Sequence, residues 1–187
     1  QPGTYASDAG STTCDLCEAG TFAEESGKSA CDECPAGKYA SAVGSTMCSI
    51  ANAGSYTSTK GSSEQETCKA GKISGPEQSE CTKCPAGSFA AEDGLSSCTL
   101  ANAGSYVAKD GASSQALCDA GKISGAGQSS CDECPAGSFA PKEGSTSCVR
   151  ADAGFYVATD GASQQEPCNA GTLSGAGQTS CDLSPAG

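Results

Sequence analysis

Cysteine is the residue type in this chain with the most chemistry to offer, and its spacing narrows what that chemistry can be. Fifteen cysteines occur in 187 residues. Fourteen of them fall into pairs thirteen or fourteen residues apart: Cys17 with Cys31, Cys34 with Cys48, Cys68 with Cys81, Cys84 with Cys98, Cys118 with Cys131, Cys134 with Cys148, and Cys168 with Cys181. Two thiols at a fixed spacing can close a disulfide or contribute to a metal site. Cys14-Asp-Leu-Cys17 followed by Cys31-Asp-Glu-Cys34 has the spacing of a zinc ribbon. The Cys-x-x-Cys motifs at Cys81–Cys84 and Cys131–Cys134 have no partner motif at ribbon spacing, and there is no His anywhere. The pattern therefore favours disulfides over metal.

Three stretches break the pattern in an informative way. Where the first cysteine of a pair should stand, the chain has Ala51, Ala101 and Ala151. Fourteen residues later it has Gln65, Gln115 and Gln165. Losing one cysteine would leave a free thiol, whereas losing both removes one bridge cleanly. The joint loss supports pairing at this spacing. Cys14 is left over, since its partner position lies just before Gln1. Two readings remain open for it: the chain is a window of a longer array, or Cys14 links covalently to another chain.

The elements that carry these cysteines are short repeats. A Gly recurs at 3, 20, 37, 54, 71, 87, 104, 121, 137, 154, 171 and 187, in steps of 16 or 17. A second Gly follows seven residues later in most units, or six in the shorter ones, and Pro76-Glu77 replaces it once. One large side chain accompanies each unit: Tyr5, Phe22, Tyr39, Tyr56, Ile73, Phe89, Tyr106, Ile123, Phe139, Tyr156 and Leu173. No unit can bury a core alone, so this row is expected to pack unit on unit within the chain, or chain on chain. Above the short period lies one of 50, and residues 51–98 and 101–148 agree at 29 of 48 positions. The divisions read from it are 1–50, three cysteine-rich mini-units, then grand repeats at 51–100, 101–150 and, truncated, 151–187.

Each unit reads as two short extended segments around a Gly turn, for example Ser88-Phe89-Ala90 and Leu95-Ser96-Ser97-Cys98 with Gly94 between. No 3.6-residue apolar period lasts two turns, so little or no helix is expected. The fold class is a small disulfide-rich repeat protein: an elongated rod or solenoid of about eleven units of 16–17 residues, built from short β-hairpins and turns.

Composition sets the compartment. Aromatics are 5%, Trp is absent, and 25 Gly with 43 Ser and Thr leave little apolar volume. So cysteine-rich and apolar-poor a chain belongs in an oxidising place, secreted or at the cell surface. The net charge of −12 and the lack of a basic patch argue against nucleic acid. No apolar run reaches membrane-span length. Without His there is no Ser-His or Cys-His dyad, and no catalytic constellation is found. The glycines follow the repeat rather than a phosphate-loop pattern. The acid pairs Glu24-Glu25 and Glu92-Asp93 fall in expected turns, where solvated surface is the simplest role, and a calcium site would be built from Asp110, Asp160 or Glu92, although EF-hand spacing is absent. No cofactor is expected. Asn52, Asn102 and Asn169 are each followed by Ala-Gly, so covalent O-linked glycans on Ser and Thr are the modification to expect rather than N-linked ones.

The run Cys134-Pro-Ala-Gly-Ser-Phe139 closing at Gly144-Ser-Thr-Ser-Cys148 resembles the ephrin-receptor-like cysteine-rich repeat. It is also similar to the first, two-cysteine module of tumour necrosis factor receptor repeats. The resemblance implies bridging of the equivalent cysteines and an elongated, β-poor extracellular rod of surface and matrix proteins. Near-identical repeats without a singular residue suggest a structural building block of a fibre, filament, surface hair or matrix. Its partners would be further copies of itself or other extracellular repeat proteins. The alternative is the stalk of a cell-surface receptor or adhesin.

Overall fold

The periodic glycines are there because the chain reverses at each of them. In the computed structural model, which describes residues 1–183, the Ser88 N–H donates to the Pro85 carbonyl at 3.0 Å across a turn whose third residue is Gly87, at φ +85°. A type II turn needs positive φ at that position, which glycine adopts without steric cost. The same turn opens the other hairpins, the accepting carbonyl coming from a proline again at Pro35 and Pro135 and elsewhere from residues as different as Gln1, Glu18, Asn52, Lys69 and Asp152. Ser184 and Gly187, which continue the sequence pattern, lie outside the described residues.

Eleven two-stranded antiparallel hairpins follow one another among the described residues, and none of those residues is helical. Each strand is two residues long. In the first hairpin Thr4 pairs with Leu16 and Tyr5 with Asp15; in a later one Ser88 pairs with Leu100 and Phe89 with Thr99; in the last Thr172 pairs with Leu183. The second strand thus lies later than the sequence pattern suggests: Thr99–Leu100, not Leu95–Cys98. Residues 90–98 are recruited by the preceding hairpin instead. The Gly94 N–H donates to the Cys68 carbonyl at 2.8 Å, so this loop cannot also pair within its own hairpin.

The chain forms two compact units, Gln1–Cys84 with Ala90–Cys98, and Pro85–Phe89 with Thr99–Gly187. Inside the first, successive hairpins are stitched by backbone bonds. Gly20 N–H donates to Ala40 O at 2.8 Å, Cys34 N–H to Gly20 O at 3.0 Å, Ala23 N–H to Ser45 O at 3.1 Å, and Gly61 N–H to Cys34 O at 2.8 Å. Inside the second, the same four bonds return as Gly121 to Ala140, Cys134 to Gly121, Ala140 to Ala162 and Gly161 to Cys134. Side chains take no part in these contacts, so residue identity can vary while the stacking repeats.

A second contact reaches two hairpins along. A Cβ placed on Gly54 would overlap the Gly94 carbonyl, and one on Gly104 the Gly144 carbonyl. The roomiest of these approaches, Gly37 to the Glu77 oxygen, leaves only 2.5 Å. Glycine is therefore required here for close backbone packing as well as for φ.

The core is made of small residues. Cys17, Cys34, Cys68, Cys84, Cys118 and Cys134 are fully buried, as are Ala51, Ala101 and Ala151 at the equivalent position. Six residues into nine of the units stand Ala23, Ala40, Thr57, Ser74, Ala90, Val107, Ser124, Ala140 and Val157, all buried. Tyr5, Phe22, Tyr39, Tyr56, Ile73, Phe89, Tyr106, Ile123, Phe139 and Tyr156 are half-buried along the hairpins, and Leu173 is exposed. The large side chains thus cover a core that small ones fill.

Candidate functional site

The cysteines are positioned by the hairpin. The first of each pair stands just before the opening turn, buried in every pair but the last, where Cys168 is half-buried, and the second immediately precedes the returning strand. Seven disulfides result: Cys17–Cys31, Cys34–Cys48, Cys68–Cys81, Cys84–Cys98, Cys118–Cys131, Cys134–Cys148 and Cys168–Cys181. Their Cα atoms lie 5.6–5.8 Å apart, the range a disulfide spans without backbone movement. Cys14 is free and exposed. The ribbon-like set Cys14, Cys17, Cys31 and Cys34 is accordingly divided, with three of its members in bridges. No group of three or more His, Cys, Asp or Glu is arranged to hold a metal among the described residues.

Where the bridge is missing, a side chain closes the loop. Gln65 Oε1 accepts the Asn52 N–H at 2.7 Å, Gln115 Oε1 the Asn102 N–H at 2.7 Å, and Gln165 Oε1 the Asp152 N–H at 2.7 Å. The Gln165 amide also donates to Asp152 Oδ2 at 2.8 Å. Sequence reasoning marks these glutamines only as absent cysteines. An amide long enough to reach back to the loop's first N–H is the signal in the sequence that identifies the clasp.

Three aspartates join hairpins. Asp93 Oδ1 accepts the Ala70 N–H at 2.8 Å, Asp110 the Ala86 N–H at 2.9 Å, and Asp160 the Ala136 N–H at 2.8 Å. Lys69 donates to the other Asp93 oxygen at 3.0 Å. That bond, then the Ala70 N–H, holds the Asp93 carboxyl below its ordinary pKa. Glu92 is exposed, as are Asp93, Asp110 and Asp160. Tyr56 donates to Glu66, and Tyr156 to Glu166, each at 2.8 Å across its own hairpin. Giving up that proton would lose the bond and set two anions together, so both phenols are raised above the usual tyrosine value.

A shallow cleft recurs between a tyrosine and the hairpin after it. The copy beside Tyr56 has about 250 Å³ and is lined by Thr67, Lys69, Lys72, Glu80 and Cys81. The copy beside Tyr5 presents Glu18 and Thr21, and that beside Tyr156 presents Asn169 and Thr172. Charge changes from copy to copy, so no one ligand chemistry is repeated.

Geometry defines the class: a helix-free, disulfide-braced hairpin repeat whose recurrent features are bridges, clasps and staples. Residues 3–49, 71–118 and 121–168 match the family model described as tyrosine-protein kinase ephrin type A/B receptor-like. These matches cover about three quarters of the chain, which belongs to this ephrin-receptor-like family. No curated protein matches it. Family and disulfides together place the chain among extracellular or cell-surface cysteine-rich domains.

Proposed function

We propose that the chain is a structural building block of an extracellular fibre, filament, surface hair or matrix, and that it works by repetition. The observation that carries this reading is the backbone stitching: bonds of the same kind, such as Gly20 N–H to Ala40 O and Gly121 N–H to Ala140 O, recur from hairpin to hairpin under different neighbouring side chains. Such a contact propagates with the periodic glycine as its one special residue, and seven disulfides brace it. The changing lining of the tyrosine clefts supports the same view, since an array built to bind one ligand would repeat the ligand's chemistry. Partners are further copies of the chain or other extracellular repeat proteins. The reading involves no nucleic acid, no catalysis and no cofactor. No helix among the described residues is long and apolar enough to cross a membrane.

The family description names receptors, and this favours a second reading as the spacer of a receptor ectodomain. Self-association separates the two. The oxidised chain at rising concentration, followed by light scattering and negative-stain electron microscopy, should form filaments with an axial repeat. A monomer at every concentration, with no filament on any grid, overturns the building-block reading and leaves the spacer.

A further inference from the structure

Covalent connectivity divides the hairpins into two mechanical classes. In a bridged hairpin such as Cys84–Cys98 the disulfide carries any load along the chain, and the loop behind it cannot be drawn out. Consecutive bridges are separated by only three residues at Cys31–Cys34, Cys81–Cys84 and Cys131–Cys134. At three places the interval is instead twenty residues with no internal bridge: Cys48 to Cys68, Cys98 to Cys118, and Cys148 to Cys168. Each contains one clasped hairpin.

The clasped hairpins keep the geometry of the bridged ones. Ser105 pairs with Leu117 and Tyr106 with Ala116, the same register as Ser88 with Leu100 and Phe89 with Thr99. Their closure differs only in being a hydrogen bond. We propose that hairpins 51–67, 101–117 and 151–167 are extensible links, which open under tension and reclose while the bridged hairpins between them stay shut. The property holds for a fibre and for a receptor spacer alike.

Each open link would release twenty residues, or about 70 Å of fully extended chain, less the span it occupied when folded. The links are graded. Hairpin 151–167 has the Gln165 clasp, the Gln165–Asp152 bond, the Tyr156–Glu166 bond and the Asp160 staple to Ala136. Hairpin 101–117 has the Gln115 clasp and the Asp110 staple, and Ala116 stands where a glutamate would meet Tyr106. The third link should therefore yield at higher force than the second.

The test pulls the full oxidised chain in an optical trap from handles at Leu16 and at the C-terminal end, so that the first hairpin, whose Cys14 is free, lies outside the load path. Three reversible increments are expected, each below about 70 Å. The Ala51→Cys/Gln65→Cys variant, with its new bridge verified by loss of free thiol, should show two. Ala101→Cys/Gln115→Cys serves the same purpose if the first pair fails to fold. Added reductant should expose seven further increments of about 45–50 Å as the thirteen- and fourteen-residue loops open. The proposal is overturned if the oxidised chain gives no increment before rupture, if it opens in one step of the summed length, or if a bridged variant still shows three.

Discussion

Gly54→Ala offers the sharpest test of the stacking. Gly54 is buried at φ +83°, and an added Cβ would overlap the Gly94 carbonyl oxygen while standing 2.5 Å from its carbon and 3.1 Å from its Cα. All of those atoms are backbone, so none can swing aside. Relief requires the two hairpins to separate, which strains the Gly54 N–H bond to Ser74 at 2.8 Å and the Cys68 N–H bond to Gly54 at 2.9 Å. Left-handed φ costs an alanine about 1–2 kcal/mol. Overpacking adds about 1–3 kcal/mol, and a buried backbone group losing its partner about 1–3 kcal/mol more. The control is Gly27→Ala, at φ +84° and exposed, where an added Cβ meets nothing within 4 Å. It carries the φ cost alone. The difference between the variants is thus at least about 2 kcal/mol, which is roughly 30-fold in an opening equilibrium. Stacked repeats open locally rather than all at once, so the assay is hydrogen exchange read by mass spectrometry on the oxidised chain. Peptides from 51–67 and 84–100 should exchange about 30-fold faster in Gly54→Ala than in Gly27→Ala. Equal protection in the two variants would refute the two-hairpin contact.

Three further predictions rest on single observations. Gln115→Ala removes the clasp on Asn102 and should cost about 1 kcal/mol, seen as faster exchange of the Asn102 amide with other hairpins unchanged. Reduction opens seven loops, each worth about 3 kcal/mol in the chain-entropy model, so the circular dichroism of the reduced chain should collapse; an unchanged spectrum would contradict the disulfide bracing. Asp93 has a lowered folded pKa, so its staple contributes above the ordinary carboxylate value and is lost as pH falls through the folded one. The Ala70 amide should accordingly lose protection below pH ~4 in the native chain and show no such step in Asp93→Asn, measured by amide exchange in NMR spectra.

Much of the architecture is legible in the residues, and what is not has a physical cause. The glycine period reveals the units because one tight turn per hairpin demands it. The joint change to Ala51 and Gln65 points to a missing bridge because an odd thiol would otherwise remain. The strand register is not legible: Leu95–Cys98 looks as extended as Thr99–Leu100, and only the Gly94 bond to Cys68 shows that the first segment serves another hairpin. The roles of Asp93, Asp110 and Asp160 are hidden for the same reason. Each reaches an N–H 23 or 24 residues back, a distance set by stacking geometry rather than by local pattern. The large side chains mislead in a different way. A row of Tyr and Phe suggests the packing surface, yet backbone this closely apposed leaves room inside only for Ala, Ser, Thr, Val and cystine.

The reach of the backbone contacts also bears on the 50-residue period. Hydrogen bonds join a hairpin to the next one, and the glycine approaches extend to the one after that, as in Gly54 to Gly94. Clasped hairpins recur every third unit. A clasped hairpin therefore makes these contacts only with bridged ones, never with another of its kind. A hydrogen-bonded loop standing among covalently closed neighbours meets surfaces that are already ordered, so one glutamine suffices where each neighbour needs a disulfide. Two adjacent clasped hairpins would lack that support. Replacing Cys68 by Ala and Cys81 by Gln together, in combination with Gln65→Ala in hairpin 51–67, should destabilise the two hairpins by more than the sum of the bridge loss alone and Gln65→Ala alone. Strict additivity, read from hydrogen exchange of peptides 51–67 and 68–83, would show instead that each loop closes without help from its neighbour.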